Sequence, residues 1–210
     1  MIRILIADDH AIVREGLKQI ISDDPEMVVS AEASTGSQAL DRLSKGAYDV
    51  VILDVSMPGG SGLEVLKQIR RTWPELPVII LTMYPEEHYA IRALKAGASG
   101  YLTKENAPEE LVAAIKKAAQ GGKYVSASLA EKLASYLEAD TRKPLHERLS
   151  DREYEVMCMI GRGRTSTQIA RELNLSVKTI STYRSRILEK MGMENNAEII
   201  RYAVKNCLVD

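Results

Sequence analysis

Three uninterrupted apolar runs, Ile4–Ala7, Val50–Leu53 and Val78–Leu81, restrict what this 210-residue chain can fold into more than any other feature. A strand with one wet face alternates polar and apolar residues, whereas a continuous apolar run suits burial on both faces, as in a parallel sheet covered by helices. Two weaker runs, Met27–Val29 and Ser99–Leu102, bring the set to five and suit edge positions. Between the runs lie helix-period segments, among them Ile12-Val13…Gly16-Leu17…Ile20-Ile21 and Leu63…Val65-Leu66…Ile69. Five strand–helix units in about 120 residues predict an α/β doubly wound, five-stranded parallel sheet. Ligands of such sheets bind outside the carboxyl ends of the strands, at the switch point in strand order.

The residues at those carboxyl ends carry the chemistry. The first run leads into Asp8-Asp9, the third into Asp54, the fourth into Thr82, and the fifth is followed by Lys104. Three carboxylates brought together repel unless a cation neutralises them, and an all-oxygen donor set with room for water and phosphate suits Mg²⁺. A carboxylate beside such an ion is a nucleophile for aspartyl phosphate formation, with a hydroxyl and an ammonium to hold the phosphoryl oxygens. Each of these residues alone reads as a helix cap or a solvated charge; their arrangement on successive strand ends is what points to phosphoryl chemistry. Gly59, Gly60 and Gly62 follow Pro58 without the GxxxxGK[ST] spacing of a phosphate loop, so they read as a turn into the next helix.

Beyond Gln120 the pattern changes. Gly121-Gly122 ends a helix, a further helix is expected around Leu129–Leu137, and Ala139-Asp140-Thr141-Arg142-Lys143-Pro144 has neither period nor apolar content and reads as a tether. From Leu149 on, the chain is helical in pattern and predicts an all-α unit of four helices. Ser150 with Glu153 and Thr165 with Gln168 match capping boxes, and Ser176 and Asn195 are candidate caps for two more helices. The segment 165–191 has the organisation of a helix-turn-helix, with Asn174 at the turn. Ile180, Ile187 and Met191 share one face of its second helix, while Lys178, Thr182, Ser185 and Arg186 project outward, Ser181 lies on the flank and Arg184 falls nearer the inward side. Basic side chains there, Lys178, Arg184, Arg186 and Lys190, suit a DNA backbone, and short hydroxyl side chains suit base edges in a major groove.

Charge supports two modules with different partners. The chain as a whole has a net charge of −1, but residues 1–120 carry 13 basic and 17 acidic side chains, a net of −4, and residues 148–210 carry 11 and 8, a net of +3. The two cysteines, Cys158 and Cys207, lack metal-ligand spacing and support neither a disulfide scaffold nor a zinc site. No apolar run reaches the roughly 20 residues that span a bilayer. The first residues turn acidic at Asp8-Asp9, where a signal peptide would stay apolar, so a cytoplasmic protein without a membrane partner is expected.

Asp8-Asp9, Asp54 through Gly59, Leu81-Thr82, and Gly97-Ala98 through Lys104 resemble the receiver domain of two-component response regulators, which is flavodoxin-like. That resemblance implies that Asp54 accepts a phosphoryl group from a sensor histidine kinase. It also implies that Asp9, Asp54 and the Ser56 backbone carbonyl bind Mg²⁺ directly, that Asp8 holds a metal-bound water, and that Thr82 and Lys104 contact the phosphoryl oxygens. Tyr101 matches the aromatic that changes rotamer on activation. Glu105 departs from the proline that many receivers carry after the lysine.

Leu149-Ser150…Arg152-Glu153…Glu155-Val156, Ile169-Ala170…Leu173, Ser176 through Ile180 and Lys190-Met191 resemble the LuxR-type DNA-binding domain. By that resemblance Lys178, Thr179, Ser181, Thr182, Arg184, Ser185 and Arg186 meet double-stranded DNA. Thr165-Ser166-Thr167-Gln168 departs from it, since relatives often have a lysine there. The two resemblances together are those of the NarL/FixJ family and imply domains at 1–121 and 148–210 joined by a linker at 122–147. They imply a transcriptional regulator, and because a single four-helix module offers few contacts, tight DNA binding is expected to need two modules in a homodimer favoured by phosphorylation. Such a chain would accept and hydrolyse its own phosphoryl group without turning over outside substrates, so it would not be an enzyme.

Two rivals belong beside this reading. A haloacid-dehalogenase-type phosphatase also uses a strand-end Asp, but its DxDx[TV] pattern has a second Asp where this chain has Ser56. A constitutive DNA-binding regulator whose receiver serves only dimerisation is disfavoured by the intact Asp8, Asp9, Asp54, Thr82 and Lys104, and stays open.

Overall fold

A computed structural model of the chain describes residues 1–58, 60–83, 86–138, 144–206 and 208–209. The tether expected at 139–144 falls outside them except for Pro144, as do Gly59 and Cys207. The chain divides into two compact units, Met1–Ala134 and Ser135–Asp210.

In the first unit β1 (Ile2–Ala7), α1 (Ala11–Ser22), β2 (Met27–Ala33), α2 (Gly36–Lys45) and β3 (Val50–Leu53) are followed by two short strands, β4 (Ser56–Met57) and β5 (Gly60–Ser61). Then come α3 (Gly62–Thr72), β6 (Val78–Thr82), α4 (Glu86–Lys95), β7 (Gly100–Thr103) and α5 (Ala107–Ala119), and α6 (Ala127–Glu138) spans the boundary between the units. The main sheet has the order β2-β1-β3-β6-β7 with every pairing parallel, so β2 and β7, the two weaker apolar runs, are the edges. The switch in winding direction falls between β1 and β3, next to the strand ends that carry Asp8 and Asp54.

Burial explains the apolar runs. Ile4, Ile6, Val50, Ile52, Ile79, Leu81 and Leu102 form one face with Leu17 and Ile21 of α1 and Leu111, Ala114 and Ile115 of α5. The alternate residues Leu5, Val51, Leu53, Ile80 and Tyr101 are buried just as completely, so each central strand is apolar on both sides of its pleat. The second strand is longer than its run of three, reaching Ala33, because edge residues beyond Val29 need only half burial; a register shift between Ile4 and Leu5 accommodates it. The β4–β5 hairpin, two residues a side, is too short to leave a periodic signal. The first unit continues past residue 121, where Tyr124 donates its amide to Ser99 (2.7 Å) and bridges to Gly100 beside β7. Among the described residues no peptide is cis.

In the second unit a 3₁₀ turn (Leu145–Arg148) precedes α7 (Asp151–Gly161), α8 (Ser166–Glu172), α9 (Val177–Met191) and α10 (Asn196–Lys205). Both expected capping boxes are formed, and Ser176 and Asn195 cap α9 and α10 through the amides of Thr179 and Glu198. Asn174 turns the chain between α8 and α9 with φ of 52°, a left-handed conformation that asparagine tolerates. Gly192, at φ of 64°, stops α9.

Glu153 does two jobs in this unit. Its carboxylate accepts the Ser150 amide (2.8 Å) in the capping box and the Lys190 ammonium (2.6 Å), which ties the start of α7 to the end of α9. Burial pushes the Glu153 carboxyl up, but Lys190 and the Ser150 groups pull harder, leaving it below the ordinary glutamate range. A depressed carboxyl adds stability that is present above the unfolded-state pKa and is lost as pH falls through the folded value. Glu153→Gln is therefore expected to cost about 1 kcal/mol at pH 7 and progressively less on acidification toward that window. Urea titrations of both proteins at neutral and acid pH check this; a cost independent of pH would contradict it.

Candidate functional site

Parallel register brings the strand ends together. Ala7 pairs with Leu53 and Thr82 with Thr103, so Asp8-Asp9, Asp54, Thr82 and Lys104 all leave the sheet at one edge. Asp8 and Asp54 are only 2% and 3% exposed, unusual for carboxylates unless they are paired or hold a cation, and the Thr82 hydroxyl beside them is buried as well. Lys104 Nζ lies 2.7 Å from Asp54 Oδ2 and 2.6 Å from Asp8 Oδ2, bridging the two carboxylates. The Ser56 amide donates to Asp54 Oδ1 (3.2 Å) and the His10 amide to Asp8 Oδ1 (2.8 Å). Burial pushes the Asp54 carboxyl up to about 6; Lys104 opposes that and Asp8 adds to it. Burial also works to lower the Lys104 ammonium, but the attraction of Asp54 and Asp8 outweighs it and the net shift is upward.

A divalent cation fits this donor set. One atom each from Asp8, Asp9, His10 and Asp54 lie within 4.8 Å of one another. Asp8 Oδ2 and Asp9 Oδ1 are buried and accept no well-directed hydrogen bond, although the nitrogens of Lys104 and His10 stand 2.6 and 2.8 Å away. Carboxylate oxygens with lone pairs to spare suit a hard ion such as Mg²⁺. Ser56 sits on β4, which turns back beside Asp54, and Tyr101 is wholly buried on β7 opposite Ile80.

Two residues at this edge were not singled out by their pattern. His10 joins the acidic pair simply by following it, and sequence adjacency was the available signal. Gly62 was read with its neighbours as turn-forming, but it is the first residue of α3 and lies against the backbone of the phosphoacceptor candidate: a Cβ there would stand 2.0 Å from the Asp54 carbonyl oxygen. It is glycine for close approach rather than for a turn. Nothing local announces that.

In the second unit α9 buries Ile180, Ile187 and Met191 and leaves Lys178, Ser181, Thr182, Ser185 and Arg186 exposed. Thr182 and Ser185 donate their hydroxyls back to the carbonyls of Lys178 and Ser181 at 3.1 Å. Two expected contacts stand apart from this exposed set. Arg184 is half-buried and donates Nε to Asn196 of α10 at 2.5 Å, and Thr179 is half-buried with its hydroxyl 2.8 Å from Ser176. Lys190, counted in the basic cluster, is committed to Glu153.

Comparison with known proteins decides the family. Residues 4–116 match the response regulator receiver domain, and residues 147–203 match the bacterial regulatory proteins of the luxR family. The chain is a NarL/FixJ-type response regulator. Relatives of this response regulator include UvrY of Escherichia coli K12, 36% identical over 209 residues that span 99% of this chain and 96% of that one. GacA of Pseudomonas aeruginosa is 35% identical over 212 residues, covering 100% and 99%. Among solved structures, RcsB of Salmonella enterica serovar Typhimurium, bound to the promoter rprA in the presence of the phosphomimetic BeF₃⁻, aligns with a TM-score of 0.66 at 30% identity over 97% of this chain and 99% of that one. As a response regulator with a receiver and a LuxR-type DNA-binding domain, the protein is a DNA-binding two-component regulator. Among its described residues no helix is long and apolar enough to cross a membrane.

Proposed function

We propose that this response regulator is switched by phosphorylation of Asp54 and that its phosphorylated form binds DNA as a homodimer. The observation that carries the proposal is the buried carboxylate pair, Asp8 and Asp54, bridged by Lys104 at the carboxyl edge of the sheet. Asp8, Asp9 and Asp54, with the main-chain carbonyl of Ser56, would hold Mg²⁺, which when bound supplies neutralising charge for an incoming phosphoryl group. An Asp54 oxygen forms the new bond to phosphorus as the bond from phosphorus to the histidine nitrogen of a sensor kinase breaks, and that nitrogen keeps the electron pair. Lys104 already touches the nucleophile, so its ammonium is in place to follow the charge onto the phosphoryl oxygens. The Thr82 hydroxyl takes another of them, and the buried Tyr101 changes rotamer as β6 and α4 adjust.

The protein works in the cytoplasm and turns over no outside substrate. RcsB, a similar protein, has been seen on promoter DNA. In this chain Lys178 and Arg186 contact phosphates, and Ser181, Thr182 and Ser185 read base edges. Arg184 contributes by tying α9 to α10 and Thr179 by supporting the cap of α9, as well as by reaching the DNA. The test of the whole reading is genomic footprinting of the protein with and without a phosphodonor. Sites protected more strongly with the donor are expected; an identical footprint in both would favour the constitutive alternative.

The division of labour on α9 has its own check. Lys178→Ala and Arg186→Ala should each flatten the slope of log K against log[salt] by about 0.9 while leaving base preference intact. Ser181→Ala or Thr182→Ala should change base preference and leave that slope alone. A Lys178→Ala protein with an unchanged slope would contradict its assignment.

A further inference from the structure

The main-chain ladder of β1 stops at Ala7, whose carbonyl accepts the Asp54 amide at 2.9 Å. Asp8 still donates its amide to Ala33 (3.0 Å), but its own carbonyl lies beyond the ladder, at the start of the turn that presents Asp8 and Asp9. A buried carbonyl needs a donor. It gets one from Arg14, one turn into α1, whose Nη1 donates to Asp8 O at 2.8 Å. The same guanidinium donates Nε to Glu32 Oε2 at 2.9 Å, and Glu32 sits on β2 opposite Ile6 of β1. Glu32 Oε1 in turn meets Lys18 Nζ at 2.9 Å, so its carboxylate is itself anchored. The Arg14 side chain is largely buried, while its Glu32 partner stays half-buried at the edge of the sheet.

A planar guanidinium with two nitrogens engaged has little freedom left to rotate. One end is fixed to the sheet through Glu32 and the other to the acidic turn. The turn is further held by the His10 amide on Asp8 Oδ1, and the amides of Val13 and Arg14 both reach the His10 carbonyl. The start of α1 and the Asp8-Asp9 turn are thus tied together by hydrogen bonds, with Arg14 as the brace between them and the edge strand.

We propose that Arg14 is a positioning residue: its fork between Glu32 and the Asp8 carbonyl holds the acidic pair in the geometry that binds the divalent cation. This rests on the reading of Asp8, Asp9 and Asp54 as a metal-binding, phospho-accepting site. Arg14 touches neither the cation nor the phosphoryl group, and acts through the main chain of Asp8. A lysine at position 14 keeps the charge but not the fork, so the two contributions separate.

The experiment uses the full-length protein and its Arg14→Ala, Arg14→Lys and Asp9→Asn variants. Mg²⁺ affinity is measured by isothermal titration, exchange of the His10 amide by NMR in metal-free buffer, and stability by urea denaturation. Arg14→Ala should weaken Mg²⁺ on the order of tenfold, the usual cost of losing a partner that orients a ligand. His10 exchange should speed up roughly tenfold as the turn loosens, and Arg14→Lys should recover little of either. Wild-type affinity and exchange in Arg14→Ala, or a fall in stability alone, would overturn the proposal. So would full recovery in Arg14→Lys, which would make charge rather than the fork responsible. Asp9→Asn separates the two levels. If it binds Mg²⁺ as the wild type does, the metal reading of the cluster fails, and the positioning role is then decided by the His10 exchange rate alone. If it loses Mg²⁺ while Arg14→Ala does not, the fault lies with Arg14.

Discussion

Asp54→Asn is expected to abolish covalent phosphorylation of the protein, with no labelled species in intact-mass spectra after incubation with acetyl phosphate and Mg²⁺. The change is nearly isosteric, so the backbone around the site should survive it. Lys104 also keeps an acidic partner, since Asp8 Oδ2 stands 2.6 Å from its ammonium. What disappears is the anionic oxygen that forms the bond to phosphorus; a carboxamide is a far weaker nucleophile. The wild-type reaction should stop on chelation of Mg²⁺, because the crowded carboxylates then repel an incoming phosphate dianion. Asp9→Asn should weaken the metal and slow labelling, while Lys104→Ala should spare the metal and impair the response. Equal labelling of the Asp54→Asn protein, or undiminished labelling in EDTA, would remove Asp54 and the cation from the account.

Gly62→Ala should be among the most destructive single-methyl additions to the first unit. The added Cβ would lie 2.0 Å from the Asp54 carbonyl oxygen, 2.7 Å from Val55 Cα and 2.9 Å from the Asp54 carbonyl carbon. All three are backbone atoms, so no rotamer change relieves the overlap. The Gly62 amide also bonds to the Val55 carbonyl at 2.7 Å, which clamps the two segments together. Either α3 lifts away or the Asp54 segment shifts, at an expected cost of about 3 kcal/mol or more. Protein that still folds should label Asp54 slowly, because the displaced backbone is the one that carries the nucleophile. Gly16→Ala is the matched control: nothing lies within 4 Å of its Cβ position in the middle of α1, and the change should stabilise by roughly 0.5–1 kcal/mol. Urea midpoints of the two variants against wild type settle the comparison, and equal midpoints would show that α3 can yield without loss.

The five strands were legible because each buries both sides of its pleat or sits at an edge, and continuous against weakened apolar runs record that difference residue by residue. Asp8, Asp54, Thr82 and Lys104 were legible as a set because parallel strands put every carboxyl end on the same edge, so position along the chain translates directly into position in space. Capping boxes at Ser150 and Thr165 and the turn at Asn174 were legible because their bonds close within a few residues.

The contacts that escaped join different elements or segments of the fold. Gly62 against the Asp54 carbonyl, Arg14 between Glu32 and Asp8, Lys190 on Glu153, and Arg184 on Asn196 depend on how separate elements come to rest. Helix period alone placed Lys178 and Arg186 outward, and it leaned Arg184 inward without naming its partner. Local periodicity thus determined the five main strands, the helices between them and which residues sit at the strand ends. Tertiary packing decided which of those residues are braced, which charges are spent inside the fold and which stay exposed, because those outcomes turn on distances between segments that no local pattern encodes.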